Sequence, residues 1–358
     1  MRSGRSSGRR LRAAVALVTA LVVVGTPATA WAHGGTDRSG YSNYHSVVTS
    51  ISPAVPGLDV HTSGVDGAIV LVNRSGHSVV VLGYGAEPYL RIDATGVEAN
   101  LNSPATYVNG RRDANVPVPD HATSSAVPSW FRISAGDTAH WHDHRTHWMG
   151  SIPPDAVRAA PGLRQVIFPA WTIPLTVDGA AVTVTGRLEW VPSPHRSIWL
   201  LVSFAGLVLA LGLLQLPRRA RPVGLALGGL GWVPALLIAI SRSTEPRLGV
   251  WHRVACYPAA LAVLALLAVG LRRPNRDLPV AWGTAGAVLV AIGIAYFGMI
   301  SYSQVSGTLP DFLDRLCVAV VLSCGGALVV ATAVLAGERW SARRSRAVGA
   351  AADASPTG

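Results

Sequence analysis

The chain has 358 residues, half of them (50%) hydrophobic and only 14% charged, with a mean hydropathy of +0.36. Soluble domains carry about 25% charged residues, so this balance excludes a disordered chain and points to membrane segments. The net charge of +11 does not mark a nucleic-acid binder: residues 33–196 hold 11 Arg against 13 acidic residues, and the basic excess sits in the N-terminal segment and between apolar runs. A nucleic-acid-binding domain would gather that charge on one folded face.

Residues 1–32 read as a secretory signal peptide. Arg2, Arg5, Arg9, Arg10 and Arg12 precede a short apolar stretch from Ala13 to Gly25, and small residues follow. Cleavage after Ala32 leaves His33 as the mature N-terminus; cleavage after Ala30 leaves Trp31.

Residues 33–196 read as an extracytoplasmic all-β domain, sandwich-like. The runs 68–73 and 78–83 are rich in β-branched residues and are split by Arg74-Ser75-Gly76-His77, which predicts a hairpin. Segments 130–133, 138–145, 165–168 and 181–191 read as further strands. Residues 110–129, with Pro117, Pro119 and Pro128, read as a long loop or internal boundary. No helical periodicity is evident. The region contains no cysteine, so its apolar core alone must hold it together.

Ten of the 11 histidines fall in this region, four of them between His140 and His147. On a strand, alternate side chains share a face, which groups His140, His142 and His144. Neighbouring same-face Cβ atoms lie about 6–7 Å apart, wide for three ligands on one ion. A turn at Asp143-His144-Arg145 would instead swing His147 and Met149 back. Imidazole suits copper and zinc, and thioether sulfur suits Cu(I). The expected metal ligands are His142, His144 and His147, with His140 and Met149 in reserve. His33, as a mature N-terminus, would chelate through its amine and imidazole, which favours copper. Asp143 is expected to fix a ring tautomer, and Arg145 to face away from the ligands. Neutral imidazoles are required, so affinity is expected to fall as pH drops through about 6.5. The same residues also suit a half-buried packing and hydrogen-bonding network without metal.

After residue 196, apolar runs at 197–216, 223–240, 254–271, 278–300 and 316–337 predict a helical membrane bundle of five spans, followed by a tail at 338–358. Arg-rich connections at 217–222, 272–277 and the tail are expected in the cytoplasm, and 33–196 outside. His252, Cys256, Met299, Asp314 and Cys317 lie near the outer span ends. They read either as a metal entrance or as interfacial residues and apolar filler.

Three segments carry a resemblance: Gly83-Tyr84-Gly85-Ala86-Glu87-Pro88-Tyr89-Leu90-Arg91-Ile92, Asn102-Ser103-Pro104-Ala105-Thr106-Tyr107-Val108-Asn109, and Trp141-His142-Asp143-His144-Arg145-Thr146-His147-Trp148-Met149. Together they resemble a family of actinobacterial envelope proteins that have a leader, a β ectodomain and C-terminal spans. The resemblance covers roughly 41–196 and implies that layout, but no activity. The layout is also similar to copper-resistance proteins that join a CopC-type β domain to CopD-type spans, an analogy at the level of fold. A thiolate-dependent blue-copper site is not expected without cysteine, and no hydrolase or nucleotide-binding fingerprint occurs.

The expected function is a multi-pass cell-envelope protein, not an enzyme, whose β domain binds copper, or less readily zinc, for storage, sensing or delivery. The expected partners are the lipid bilayer, other envelope proteins or a metal donor, and no nucleic acid. The alternative is a metal-free anchored structural or interaction module.

Overall fold

A computed structural model describes residues 40–65, 67–110, 114–215, 220–243, 254, 256–272, 278–305 and 307–353. The expected leader, both cleavage sites, His33 and His252 lie outside the described residues, as do 217–219 and 273–277. The chain divides into two compact units. One is rich in β-sheet and comprises His33–Pro194 with Tyr302–Ser306; the other is helical and includes His195–Ser301 and Gly307–Gly358.

The β unit contains β1 (Tyr41–Ser42), β2 (Tyr44–Ser52), β3 (Leu58–Ser63), β4 (Ala68–Asn73), β5 (Val79–Leu82), β6 (Pro88–Asp93), β7 (Gly96–Asn100), β8 (Trp130–Ser134), β9 (Thr138–Trp141), β10 (Gln165–Val177), β11 (Ala180–Trp190) and β12 (Gln304–Val305). Two short helices, α1 (Pro104–Val108) and α2 (Asp155–Ala159), interrupt them. A seven-stranded sheet runs β2-β11-β10-β5-β6-β7-β8, a three-stranded sheet runs β3-β4-β9, and β1 pairs with β12. Every pairing is antiparallel.

Both larger sheets feed one apolar core. Leu58, Val60, Ile69, Leu71 and Trp141 come from the smaller sheet, and Val79, Val81, Ile92, Ile173, Leu175 and Val184 from the larger. The period of two is clear on β10, where Trp171, Ile173, Leu175 and Val177 are buried. Trp171 lies opposite Gly186 in register. A Cβ at Gly186 would fall 2.1 Å from the Trp171 ring and 2.4 Å from the Val47 carbonyl oxygen, so only glycine fits between them.

The predicted hairpin of 68–73 with 78–83 does not form. β4 pairs with β3 and β9, whereas β5 pairs with β10 and β6. Residues 74–77 therefore carry the chain from one sheet to the other. Asn73 shapes this crossing: its Nδ2 donates to the His77 and Ile92 carbonyls, and its Oδ1 accepts from Ser75 N and Oγ. Two apolar runs joined by four polar residues satisfy a hairpin and a crossing equally well, and core packing decides between them. The strand expected over 138–145 stops at Trp141, while that expected over 165–168 runs on to Val177. The register shifts of β10 flank Pro169, whose missing N–H and fixed φ favour an irregular ladder there.

β12 lies in the connection between two helices of the other unit, yet belongs to the β unit. Tyr41 faces Val305 and Ser42 faces Gln304 across the ladder. The Tyr41 and Tyr302 rings stack at 5.8 Å, and Ser303 N donates to Asn43 Oδ1 at 2.8 Å.

The helical unit contains α3 (Arg196–Leu214), α4 (Ala220–Ser243), α5 (Cys256–Arg272), α6 (Leu278–Ala295), a 3-10 turn (Phe297–Ile300) and α7 (Asp311–Asp353). Three of its helical stretches are long and apolar enough to cross a membrane: Arg196–Leu214, Arg221–Ser243 and Asp311–Gly337. The apolar stretches Cys256–Arg272 and Val280–Ala295 are shorter. At 1.5 Å per residue, the 17 residues of α5 reach about 26 Å, against a hydrocarbon thickness of about 30 Å. Where a run to residue 300 was expected, α6 ends at Ala295 and the chain tightens into the 3-10 turn. Within the unit, a Cβ at Gly286 would lie 2.6 Å from the Gly325 carbonyl oxygen, so α6 and α7 approach backbone to backbone. Ile198, Leu201, Phe204 and Leu209 of α3 are each more than half exposed, a surface suited to lipid.

The β10–β11 hairpin closes on Asp178-Gly179, both at positive φ (47° and 85°), a two-residue turn whose twist matches the strands. Asp178 Oδ1 accepts from Ser78 N at 2.9 Å, and Oδ2 accepts from His77 Nδ1 at 2.7 Å. The Ser78 N–H first, then His77, hold this carboxyl below its ordinary range. A carboxyl lowered by folding stabilises the fold above its unfolded pKa and loses that contribution as pH falls through the folded value. Amide exchange at the hairpin tip, corrected for intrinsic rate, is therefore expected to speed up as pH falls below about 4. Asp178→Asn, which tolerates the same φ, should flatten that response; an unchanged pH profile in the variant would refute this role.

Candidate functional site

The segments 83–92, 102–109 and 141–149 meet in the β unit. Strand β9 brings Trp141 into the core, and the chain then turns sharply. Thr146 N donates to the Asp143 carbonyl at 3.0 Å and closes the turn. The Thr146 hydroxyl lies 2.8 Å from the same carbonyl and 3.1 Å from that of Gly67.

Asp143 is fully buried. Its carboxylate accepts from Arg145 Nε and Nη2, both at 2.8 Å, from Arg145 N at 3.1 Å and from Trp141 Nε1 at 3.1 Å. Bidentate pairing of this kind satisfies both charges at once. The guanidinium also donates to the Leu82 carbonyl and lies 5.0 Å from the centre of the Tyr84 ring. Burial opposes the charge on Arg145, but the hydrogen bonds and charge of Asp143 outweigh it and hold the guanidinium above its ordinary pKa. Arg145 is thus engaged by Asp143, the Leu82 carbonyl and the Tyr84 ring. Asp143 orients a histidine ring through its backbone and not its side chain: its carbonyl accepts from His147 Nδ1 at 3.0 Å, while its carboxylate serves Arg145 and Trp141.

The other two segments wrap this turn. Tyr84 donates its hydroxyl to Asn109 Oδ1 and accepts from His144 N at 3.0 Å. Burial first, then the Asp143 carboxylate, pushes the Tyr84 phenol well up, so it remains a neutral hydrogen-bond donor. Glu87, buried, accepts from Ser103 Oγ and from Gly85 N, each at 2.9 Å. Ser103 also caps α1 by accepting from Ala105 N. Sequence reasoning did not name Tyr84, Glu87, Ser103 and Asn109 as site residues; their signal was membership of the segments 83–92 and 102–109.

The histidines divide. His140 projects from the exposed side of β9, so the expected shared face of His140, His142 and His144 does not exist: the strand ends at Trp141. The turn instead gathers His142, His144 and His147. The His144 and His147 rings lie 5.3 Å apart, and those of His142 and His147 lie 6.3 Å apart. His144 Nε2 lies 3.1 Å from the Val108 carbonyl, and its Nδ1 lies 3.1 Å from the Met149 sulfur. Met149 is 45% exposed. Among the described residues, no three His, Cys, Asp or Glu side chains are grouped to hold a metal ion. His33 lies outside the described residues.

Comparison with family models, curated proteins and solved structures gave no match.

Removing one partner of a buried ion pair strands the other, at a cost of about 3–5 kcal/mol. Arg145 keeps 21% side-chain exposure, so Asp143→Asn is expected at the low end of that range. Tyr84→Phe removes hydrogen bonds worth about 1 kcal/mol each. Thermal unfolding of the full chain in detergent should place Asp143→Asn well below Tyr84→Phe; the reverse order would show that the ion pair is not the main tie.

Proposed function

We propose that the protein is a membrane-anchored cell-envelope protein whose β unit binds a transition metal, copper in preference to zinc, at the 142–149 turn, and holds or delivers it. One contact carries the reading. A carbonyl has no hydrogen to give, so the proton of a neutral His144 ring belongs on Nε2, facing Val108. The Nδ1 lone pair is then left facing the Met149 sulfur, which has no hydrogen either, at 3.1 Å. A cation between them resolves the opposition of two lone pairs. Nitrogen and sulfur ligands of one ion, bound at about 2.0 and 2.3 Å, lie roughly 3–4 Å apart.

His147 supports the same reading. Its Nδ1 donates to the Asp143 carbonyl, which puts the ring lone pair on Nε2. This is the orienting hydrogen bond typical of ligating histidine. Two imidazoles on one ion at about 2.0–2.1 Å place their ring centres roughly 5–6 Å apart, and His144 and His147 stand at 5.3 Å.

The metal-free alternative has its own support: the ties from Asp143, Arg145, Tyr84 and Asn109 hold the turn without an ion. There a protonated His144 would donate to both Val108 and Met149. Titration of the full chain in detergent with Cu(II), Zn(II) and, under a reductant, Cu(I) distinguishes the two. Metal binding predicts about one ion per chain, lost on His144→Ala with His147→Ala while the β-sheet signal is retained. Failure of all three ions to bind would establish the anchored module instead.

In this reading five helices cross the membrane, with the β unit outside and the tail inside. Membership of Tyr302–Ser306 in the β unit supports it, because the α6–α7 connection then lies on the same side as residues 41–194. That requires an even number of crossings between them, which is four if α3 to α6 all cross and two if only α3 and α4 do. Reporter fusions at Ser306 are expected outside and fusions in the tail inside; fusions at 217–222 and 272–277 are both inside only if five helices cross.

A further inference from the structure

We infer that this site selects reduced copper, Cu(I), through His144 Nδ1, His147 Nε2 and Met149 Sδ. The inference rests on the metal-binding reading above and goes further in naming the oxidation state and the ligand set.

The first argument is chemical softness. The group closest to His144 Nδ1 is a thioether, which ligates Cu(I) far better than Zn(II) or Cu(II). Beside the two imidazoles, the thioether 3.1 Å from His144 Nδ1 supplies a third donor. Every cysteine lies in the helical unit, so Met149 is the sulfur available.

The second argument is charge. Two neutral imidazoles and a thioether bring no negative charge. The Asp143 carboxylate is fully engaged by Arg145 and Trp141, and Glu87 by Ser103 and Gly85. A dication at this half-buried turn would keep two uncompensated charges and a monocation only one, and uncompensated charge is costly away from water. The d10 ion Cu(I) also accepts three ligands without the square-planar demand of Cu(II).

The third argument separates the ligands from the remaining histidines. His142 and His147 rings stand 6.3 Å apart, against 5.3 Å for His144 and His147. His140 leaves from the exposed side of a strand that has already ended before the turn. The reduced-copper set is therefore narrower than the histidine cluster.

The test uses the purified full chain in detergent, without oxygen and with a reductant, competing for Cu(I) against a colorimetric chelator. Zn(II) and Cu(II) are titrated in parallel. Met149→Leu, a half-exposed position where the fold is kept, is expected to weaken Cu(I) binding by about tenfold or more, equal to about 1.4 kcal/mol. It should weaken Zn(II) and Cu(II) binding by a smaller factor than Cu(I) binding, because a thioether is a poorer ligand for the dications. His142→Ala should retain Cu(I). X-ray absorption should show a sulfur neighbour at about 2.3 Å that is lost in Met149→Leu. Metal binding indifferent to Met149→Leu, or a loss of Cu(I) in His142→Ala equal to that in Met149→Leu, would overturn this ligand set; metal binding would then rest on the spacing of the His144 and His147 rings alone. No binding of any ion would remove both.

Discussion

The buried carboxylate of Asp143 is the constraint on which the candidate site depends. A fully buried carboxylate must be paired and hydrogen-bonded. Arg145, two residues on, meets that demand within the reversal that follows β9. The reversal ends β9, closes through Thr146 and returns His147 and Met149 toward His144. The guanidinium must in turn leave the core, and it does so across the Tyr84 ring. Tyr84 then ties Asn109 and His144 to the same point. One buried ion pair thus lies at the point where three distant segments are tied together.

The helical unit obeys a different constraint. Three of its helices are long and apolar enough to cross a membrane, where backbone polar groups must be satisfied within helices. Small residues let α6 and α7 close on each other, as Gly286 and Gly325 show. Its longest helices suit the bilayer by length alone, whereas α5 and the apolar part of α6 are shorter. The strand β12, in the link between α6 and α7, belongs to the β unit and pairs there with β1.

Much of the architecture was legible in the sequence. The abrupt change of composition near residue 196 marks the division between β and helical units. The run 68–73 coincides with β4, and 181–191 nearly with β11. The pairing of those strands was not legible: 68–73 and 78–83 belong to different sheets, because a polar four-residue link permits a hairpin or a crossing. Short helices α1 and α2, at five residues each, are too brief to leave a period. At the site, the histidine cluster and the possible return of His147 and Met149 were visible, but the roles of Tyr84, Glu87, Ser103 and Asn109 were not. Their partners lie 16 to 60 residues away in sequence.

By itself, then, the sequence determined composition classes and local chemistry: an apolar C-terminal half, a β-rich region without cysteine, and four imidazoles with a thioether inside ten residues. These follow from residue type and short-range period, which need no partner to be read. Tertiary structure decided which of those side chains meet. The turn after β9 brings His144 to Met149 rather than His140 to His142, and the Val108 carbonyl sets which ring nitrogen of His144 faces sulfur. Each choice depends on a group brought from elsewhere in the chain by core packing, and no local pattern contains that information.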